Sequence, residues 1–264
     1  MSDRRARLFA RADGAGRGPV VLGIESAGPH LGLALCRLSE EADPTARSLE
    51  LLDEVTSHLG RRHAERVLDL LAAMLERQDL AAADLSLVAC GRGPGSFTGL
   101  RVGLASAAGL AMGVGAPLWP VDSLAALARN AAGRPEAIVP MVDARKGEVY
   151  AAAWRVPLDG PPVMLAPARV GPAQQVLAEL SAAVGEPAPL VFGSGAALYG
   201  CSSAVPPSWQ LPRAAEVAWL AAEAFERAGR DPAAAPPLDP AYVRPSDAEL
   251  MATDPVVDSP DPAR

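Results

Sequence analysis

Short apolar runs alternate with longer amphipathic stretches from residue 20 onward. Residues 20–25 and 31–38 are strand-like and flank Ser26-Ala27-Gly28-Pro29-His30, which predicts a hairpin; residues 48–55 predict a third, edge-like strand. Residues 61–77 read as an amphipathic helix. Ala64, Val67, Leu68, Leu71, Met74 and Leu75 share one face, while Arg62, Glu65, Arg66 and Asp69 take the other. A buried strand at 85–90 enters Gly91-Arg92-Gly93-Pro94-Gly95-Ser96-Phe97-Thr98-Gly99-Leu100-Arg101-Val102-Gly103, and a helix rich in small residues is predicted over 97–113. A strand at 116–121 and a helix at 122–131, capped by Asp122, complete a β-β-β-α-β-α-β-α order. That order predicts α/β layers with a mixed sheet.

Residues 137–142 and 149–156 predict a second hairpin around Asp143-Ala144-Arg145-Lys146-Gly147-Glu148. A short strand at 163–165, a helix at 172–184 and a strand at 190–192 follow, the last running into Gly193-Ser194-Gly195-Ala196. Residues 201–212 look irregular, and 214–228 read as a helix. The expected division is a disordered tail at 1–18, an N-terminal domain at 19–133, a C-terminal domain at 134–246 and a loose, Asp- and Pro-rich tail at 247–264.

Composition narrows the function classes. With few aromatics, alanine, leucine and valine must build the core of this 264-residue chain. The net charge of −7 argues against a broad nucleic-acid surface but leaves room for a local basic patch. Cys36, Cys90 and Cys201 are isolated and odd in number, and two of them sit in strand-like runs, which suits small buried residues of a reduced protein. The first 18 residues carry five arginines without an apolar run, and no membrane span is expected, so the sequence predicts a soluble, cytoplasmic protein.

The Gly91–Gly103 run predicts a strand, a tight turn and a helix start, whose free amides suit a phosphate or carboxylate. Glycines there equally let the helix pack closely. The known signatures fit badly: no lysine follows as in a phosphate loop, and Ser96 stands where a dinucleotide loop needs glycine. Ser96 and Thr98 are ligand hydroxyls or helix caps, and Arg92 and Arg101 are anion contacts or solvated cations. Glu25, beside Ser26 at the end of the first strand, would hold a metal-bound phosphate or a lysine, or act structurally. Asp143, Arg145, Lys146 and Glu148 form either a solvated hairpin tip or a polar site in an inter-domain cleft. His30, His58 and His63 show no metal-ligand spacing, and no Gly-x-Ser-x-Gly elbow exists.

Taken together, the Gly91–Gly103 run, Gly23-Ile24-Glu25-Ser26, Arg62-His63-Ala64-Glu65, Val142-Asp143-Ala144-Arg145-Lys146-Gly147-Glu148-Val149-Tyr150, Gly193-Ser194-Gly195-Ala196 and Pro240-Ala241-Tyr242-Val243-Arg244 resemble the bacterial TsaB (YeaZ) family. The resemblance covers residues 20 to 245 or so. It implies two ribonuclease-H-like domains of the actin/hexokinase/Hsp70 ATPase architecture. It also implies a non-catalytic subunit that binds a catalytic paralogue, TsaD, with the ATPase TsaE joining the pair. The paralogue transfers threonylcarbamoyl from its adenylate to N6 of adenosine 37 in tRNAs reading codons that begin with A; tRNA contact by this chain would be indirect. ATP and a divalent metal are then used by the partner subunits, and this chain binds no cofactor tightly. The paralogue's metal-binding His-x-x-x-His pair matches Ser123 and Leu127 here, which cannot replace imidazoles. The family's usual Asp is Glu25, which moves the charge by ~1.5 Å. Pseudo-symmetric packing of related helices places His63, Val67, Leu71, Gly103, Ala107 and Leu110 near the partner interface, and the same surface would serve a homodimer of the isolated chain. The rival reading is a small-molecule kinase or chaperone-like ATPase that uses the glycine turns as phosphate loops.

Overall fold

The computed structural model describes residues 18–39, 48–58 and 63–241, without the side chains of 63–65. Residues 1–17 of the expected tail at 1–18, the expected tail at 247–264, Arg61, Arg62, Tyr242, Val243, Arg244 and the side chain of His63 lie outside the described residues.

Five strands form the first sheet, in the order β3-β2-β1-β4-β5: β1 Val20–Glu25, β2 His30–Leu38, β3 Leu49–His58, β4 Leu85–Gly91 and β5 Leu118–Val121. The hairpin strands pair antiparallel, whereas β4 and β5 run parallel to β1, so the sheet is mixed as the element order predicted. The second sheet has the order β8-β7-β6-β9, with β6 Ile138–Arg145, β7 Glu148–Arg155, β8 Val163–Pro172 and β9 Leu190–Phe192. Strand β8 is far longer than the three residues expected. Pro167 interrupts its pattern, and an edge strand tolerates a proline that a central one would not.

Strand alternation sorts the side chains onto two faces of the first sheet. Leu22, Ile24, Leu33 and Leu35 face helices α1 His63–Arg77 and α2 Phe97–Val114, meeting Val67, Leu71, Met74, Leu104 and Ala107. Val21, Ala34, Cys36, Leu87 and Ala89 face the opposite side. There they share one core with α3 Ser123–Arg129, α6 Ala214–Arg227 and the inner face of the second sheet. Helices α4 Ala173–Val184 and α5 Ser194–Leu198 cover that second sheet from outside. The layers therefore run helices, sheet, helices, sheet, helices.

The two halves exchange helices across this layering. Helix α6, from the second half of the chain, packs on β1, β2, β4 and β5, while α3, from the first half, packs on β6 and β7. Each half contributes a helix to the layer between the sheets, because the apolar sheet faces bury best against the apolar stripes of helices. Cys36 and Cys90 are buried as predicted, and burial pushes both thiols up to about 12.

The periodicity of α1 misplaced Leu68, which is 62% exposed. Four of the residues expected near the partner interface face inward. Val67, Leu71, Gly103 and Ala107 are buried in the chain's own core, because the apolar stripe of each helix is what seats it on the sheet. Leu110 is half-buried. By length and composition α2 is apolar enough to cross a membrane, with a mean hydropathy of 1.3 over its 18 residues and a third of that window buried. Its buried stripe is seated on β4, with α1 alongside.

A glycine-lined polar cluster at the strand ends

The parallel strands β1 and β4 end side by side, and the N-termini of α2 and α3 begin just beyond them. Both helix starts are capped from sequence-local residues. Ser96 Oγ accepts from the Gly99 amide, and Asp122 Oδ1 accepts from the amides of Leu124 and Ala125 at 2.7 and 2.9 Å.

Glu25 lies at the centre and is 3% exposed. Its Oε1 accepts from the Ala27 amide at 2.6 Å, and its Oε2 accepts from Ser123 Oγ at 2.9 Å. Ser123 Oγ in turn accepts from the Gly93 amide at 3.2 Å, and the Ser123 amide donates back to the Gly93 carbonyl. Ser26 donates its hydroxyl to the Gly99 carbonyl at 3.0 Å. Sequence reasoning found Glu25 and Ser26 but missed Ser123 as the partner of Glu25; it is 98 residues from Glu25, and no local pattern marks it.

The glycines explain how these backbones come so close. A Cβ at Gly91 would collide with the Glu25 carboxylate and Ser123 Oγ. At Gly95 it would strike the Ala27 carbonyl, at Gly99 the Ser26 carbonyl, and at Gly103 the Ser26 hydroxyl. Four amides of the turn are also bonded within the chain: Arg92 to the Val121 carbonyl, Gly93 to Ser123, Ser96 to the Ala27 carbonyl, and Gly99 to Ser96. Pro94 has no amide hydrogen. The turn thus packs closely on the chain's own β1 exit. Thr98 is exposed, and the Arg101 guanidinium stacks 3.9 Å from the centroid of the half-exposed Phe97 ring.

Asp143, Arg145, Lys146 and Glu148 lie at the β6–β7 turn, and the partners of Asp143 come from the second half of the chain. Its carboxylate accepts from the Arg145 amide and the Tyr199 hydroxyl, and its own amide donates to Ser194 Oγ. Arg145 and Lys146 both adopt left-handed backbone conformations, at φ of 65° and 55°, ahead of Gly147. The Gly193–Ala196 element repeats the logic of the first turn, since a Cβ at Gly193 would meet the Met141 carbonyl.

Burial raises the Glu25 carboxyl from 4.5 to about 7, against the opposing pull of the Ala27 and Ser123 hydrogen bonds and with a smaller push from Asp122. Burial also raises Asp122. The folded chain thus keeps the Glu25 proton to higher pH than the unfolded chain, and stability falls as pH rises across that window. From 4.5 to about 7 the loss is about 3 kcal/mol, complete above the upper value. Glu25→Gln is expected to flatten this part of the pH profile in urea unfolding, so that the variant gains on the wild type by about 3 kcal/mol between pH 4 and 8. Parallel profiles would show that Glu25 does not titrate there.

Comparison with known proteins gives the chain a family. The family model described as "TsaD: tRNA N6-adenosine threonylcarbamoyltransferase" matches residues 52–157. The "tRNA threonylcarbamoyladenosine biosynthesis protein TsaB" of Bacillus subtilis is 34% identical over 130 residues, which cover 49% of this chain and 52% of that protein. The chain thus spans about half the length of that curated relative. An uncharacterized protein of Mycobacterium tuberculosis is 33% identical over 88% of this chain and 95% of its own length. The solved structure of "YeaZ from Pseudomonas aeruginosa" superposes with a TM-score of 0.60 at 25% identity, over 80% of this chain and 94% of that one. The chain belongs to the TsaB/YeaZ family. Membership carries the fold with it: the two mixed α/β layers are those of the actin/hexokinase/Hsp70-like class. Within that family frame, Ser123 and Leu127 are both fully buried, Ser123 on Glu25 and Leu127 in the core between the sheets. Among the described residues no group of three or more His, Cys, Asp or Glu side chains is placed to hold a metal ion.

Proposed function

We propose that this chain takes part in making tRNA threonylcarbamoyladenosine as a non-catalytic subunit, docking a TsaD-type catalytic paralogue. The relatives' names motivate the pathway, and one observation carries the docking role: the outer face of α2. Ala105, Gly109, Met112 and Gly113 are exposed there, Met112 at 85%, and no charged residue occurs between Arg101 and Asp122. A flat, uncharged, small-residue helix face lets a partner helix approach closely and bury apolar area without ordering long side chains. Leu68, on the solvent side of α1, extends the apolar character of this layer.

In this reading the paralogue performs the transfer to adenosine 37, a TsaE-type ATPase joins the pair, and ATP and metal act on the partner subunits. The glycine turns are then structural, in keeping with their internally bonded amides, and a kinase or ATPase activity of this chain is not part of the reading. Co-expression with the TsaD-type paralogue tests it. The wild type is expected to co-purify and to support modification of tRNA, whereas Met112→Asp combined with Leu68→Asp reduces recovery of the pair by tenfold or so, about 1.4 kcal/mol or more, while leaving the fold intact. Undiminished co-purification of the double variant would remove α1 and α2 as the docking layer. Turnover of magnesium-ATP by the isolated chain would overturn the non-catalytic role.

A further inference from the structure

His30 and His58 occupy directly opposed positions in the antiparallel β2–β3 ladder, at the end of β3 and the start of β2. Nδ1 of His58 and Nε2 of His30 are 3.3 Å apart, with ring centroids separated by 4.8 Å and planes inclined at 65°. We propose that this pair is a two-imidazole site for a borderline divalent cation such as zinc. The proposal stands apart from the docking role and from the Ser123 and Leu127 positions.

The geometry is the argument. A tetrahedral zinc bonded to imidazole nitrogens at about 2.05 Å requires those nitrogens to lie about 3.3 Å apart along one edge of the tetrahedron. The ladder already holds the two nitrogens at that spacing, so binding needs ring reorientation and no backbone movement. In the metal-free chain one ring donates N–H to the other; the cation displaces that proton and uses both lone pairs, which is why such a site is loaded only by neutral imidazoles. Imidazole nitrogens select zinc, nickel and copper over magnesium or calcium, which prefer oxygen. His58 is exposed and His30 half-exposed, so a cation can enter from solvent. Two protein donors leave two positions open, to water or to a donor from another molecule, so the site is exchangeable rather than a closed structural centre.

Its place also gives it a reach into the fold. His30 follows the turn whose Ala27 carbonyl accepts the Ser96 amide, so a cation that clamps β3 to β2 stiffens the lead-in to the glycine-lined cluster.

Calorimetric titration of the full chain with zinc chloride tests the proposal, with magnesium chloride as the comparison. One zinc per chain is expected to bind saturably, magnesium not at all, and either His30→Gln or His58→Gln weakens zinc by about tenfold or more. The thermal midpoint is expected to rise with zinc in the wild type and to stay fixed in both variants. His58 is exposed, so its variant should keep the fold, and far-UV circular dichroism checks this. Absence of saturable zinc binding, binding that survives both substitutions, or loss on His63→Gln alone would each overturn the pair as the site.

Discussion

Alanine at Gly99 or Gly103 is expected to destabilise the chain by about 2–3 kcal/mol, whereas alanine at Gly109 in the same helix stabilises it by about 1 kcal/mol. Helix propensity alone predicts stabilisation at all three, since glycine is the worse helix former by about 1 kcal/mol. Packing reverses the sign at two of them. A Cβ at Gly99 would overlap the Ser26 carbonyl, which is backbone and cannot rotate away, and would disturb the carbonyl that accepts the Ser26 hydroxyl. At Gly103 the obstacle is the Ser26 hydroxyl itself. Gly109 has nothing within 4 Å of its would-be Cβ. Urea unfolding of the three variants reads the signs directly. The Gly103 clash has a specific remedy: Ser26→Ala should recover much of the loss in a double-mutant cycle, with a coupling of about 1 kcal/mol or more. Stabilisation at all three positions, or no coupling with Ser26, would show that α2 does not approach β1 this closely.

The same contrast shows how much the sequence discloses. Periodicity located the strands and helices, the residues between 26 and 30 announced the hairpin turn, and Ser96 and Asp122 were readable as caps because capping is local. The glycine turn was readable as a turn, but its contents were not. Free amides and bonded amides look alike in sequence, and only the fold reveals that Ala27 and Ser123 accept from two of the turn's amides. Amphipathic spacing identified an apolar stripe on α1 and α2 without saying what it meets. A strong stripe is first of all the seat of a helix on its own sheet, which is why Val67, Leu71 and Ala107 are buried and the candidate docking residues lie on the weaker opposite face. Helix α6 shows the same limit. Its N-terminus has no side-chain cap of its own; Glu54 of β3, 161 residues away, accepts from the Ala215 amide and also pairs with Arg213. Such a tie, joining the second half of the chain to the first sheet, leaves no local signal.

Arg129→Ala is expected to destabilise the fold by about 3–5 kcal/mol while leaving docking through α2 intact in whatever fraction remains folded. Arg129 ends α3 at 8% exposure, in the helix layer between the two sheets. Its Nε donates to Glu216 of α6 at 2.9 Å, its guanidinium lies 3.4 Å from the Trp219 ring centroid, and Nη1 reaches the Gly160 carbonyl. Truncation therefore removes a cation–π contact and leaves the part-buried Glu216 carboxylate without its hydrogen-bonded partner, with only the longer-range charge of Arg213 beside it. The penalty belongs mostly to the stranded carboxylate, so it should shrink when that charge is removed as well. Arg129→Met paired with Glu216→Leu is expected to cost less than Arg129→Ala alone, because replacing both charges by apolar side chains of similar size avoids leaving a part-buried carboxylate without its partner. Lysine at 129 keeps the charge but loses the planar fork that binds and stacks together, and should lie between the two. Denaturant midpoints order the series, and co-purification with the paralogue separates the inter-sheet layer from the outer one. Loss of docking in folded Arg129→Ala protein would mean that the two layers are coupled, whereas retained docking places the partner surface wholly on the far side of the first sheet.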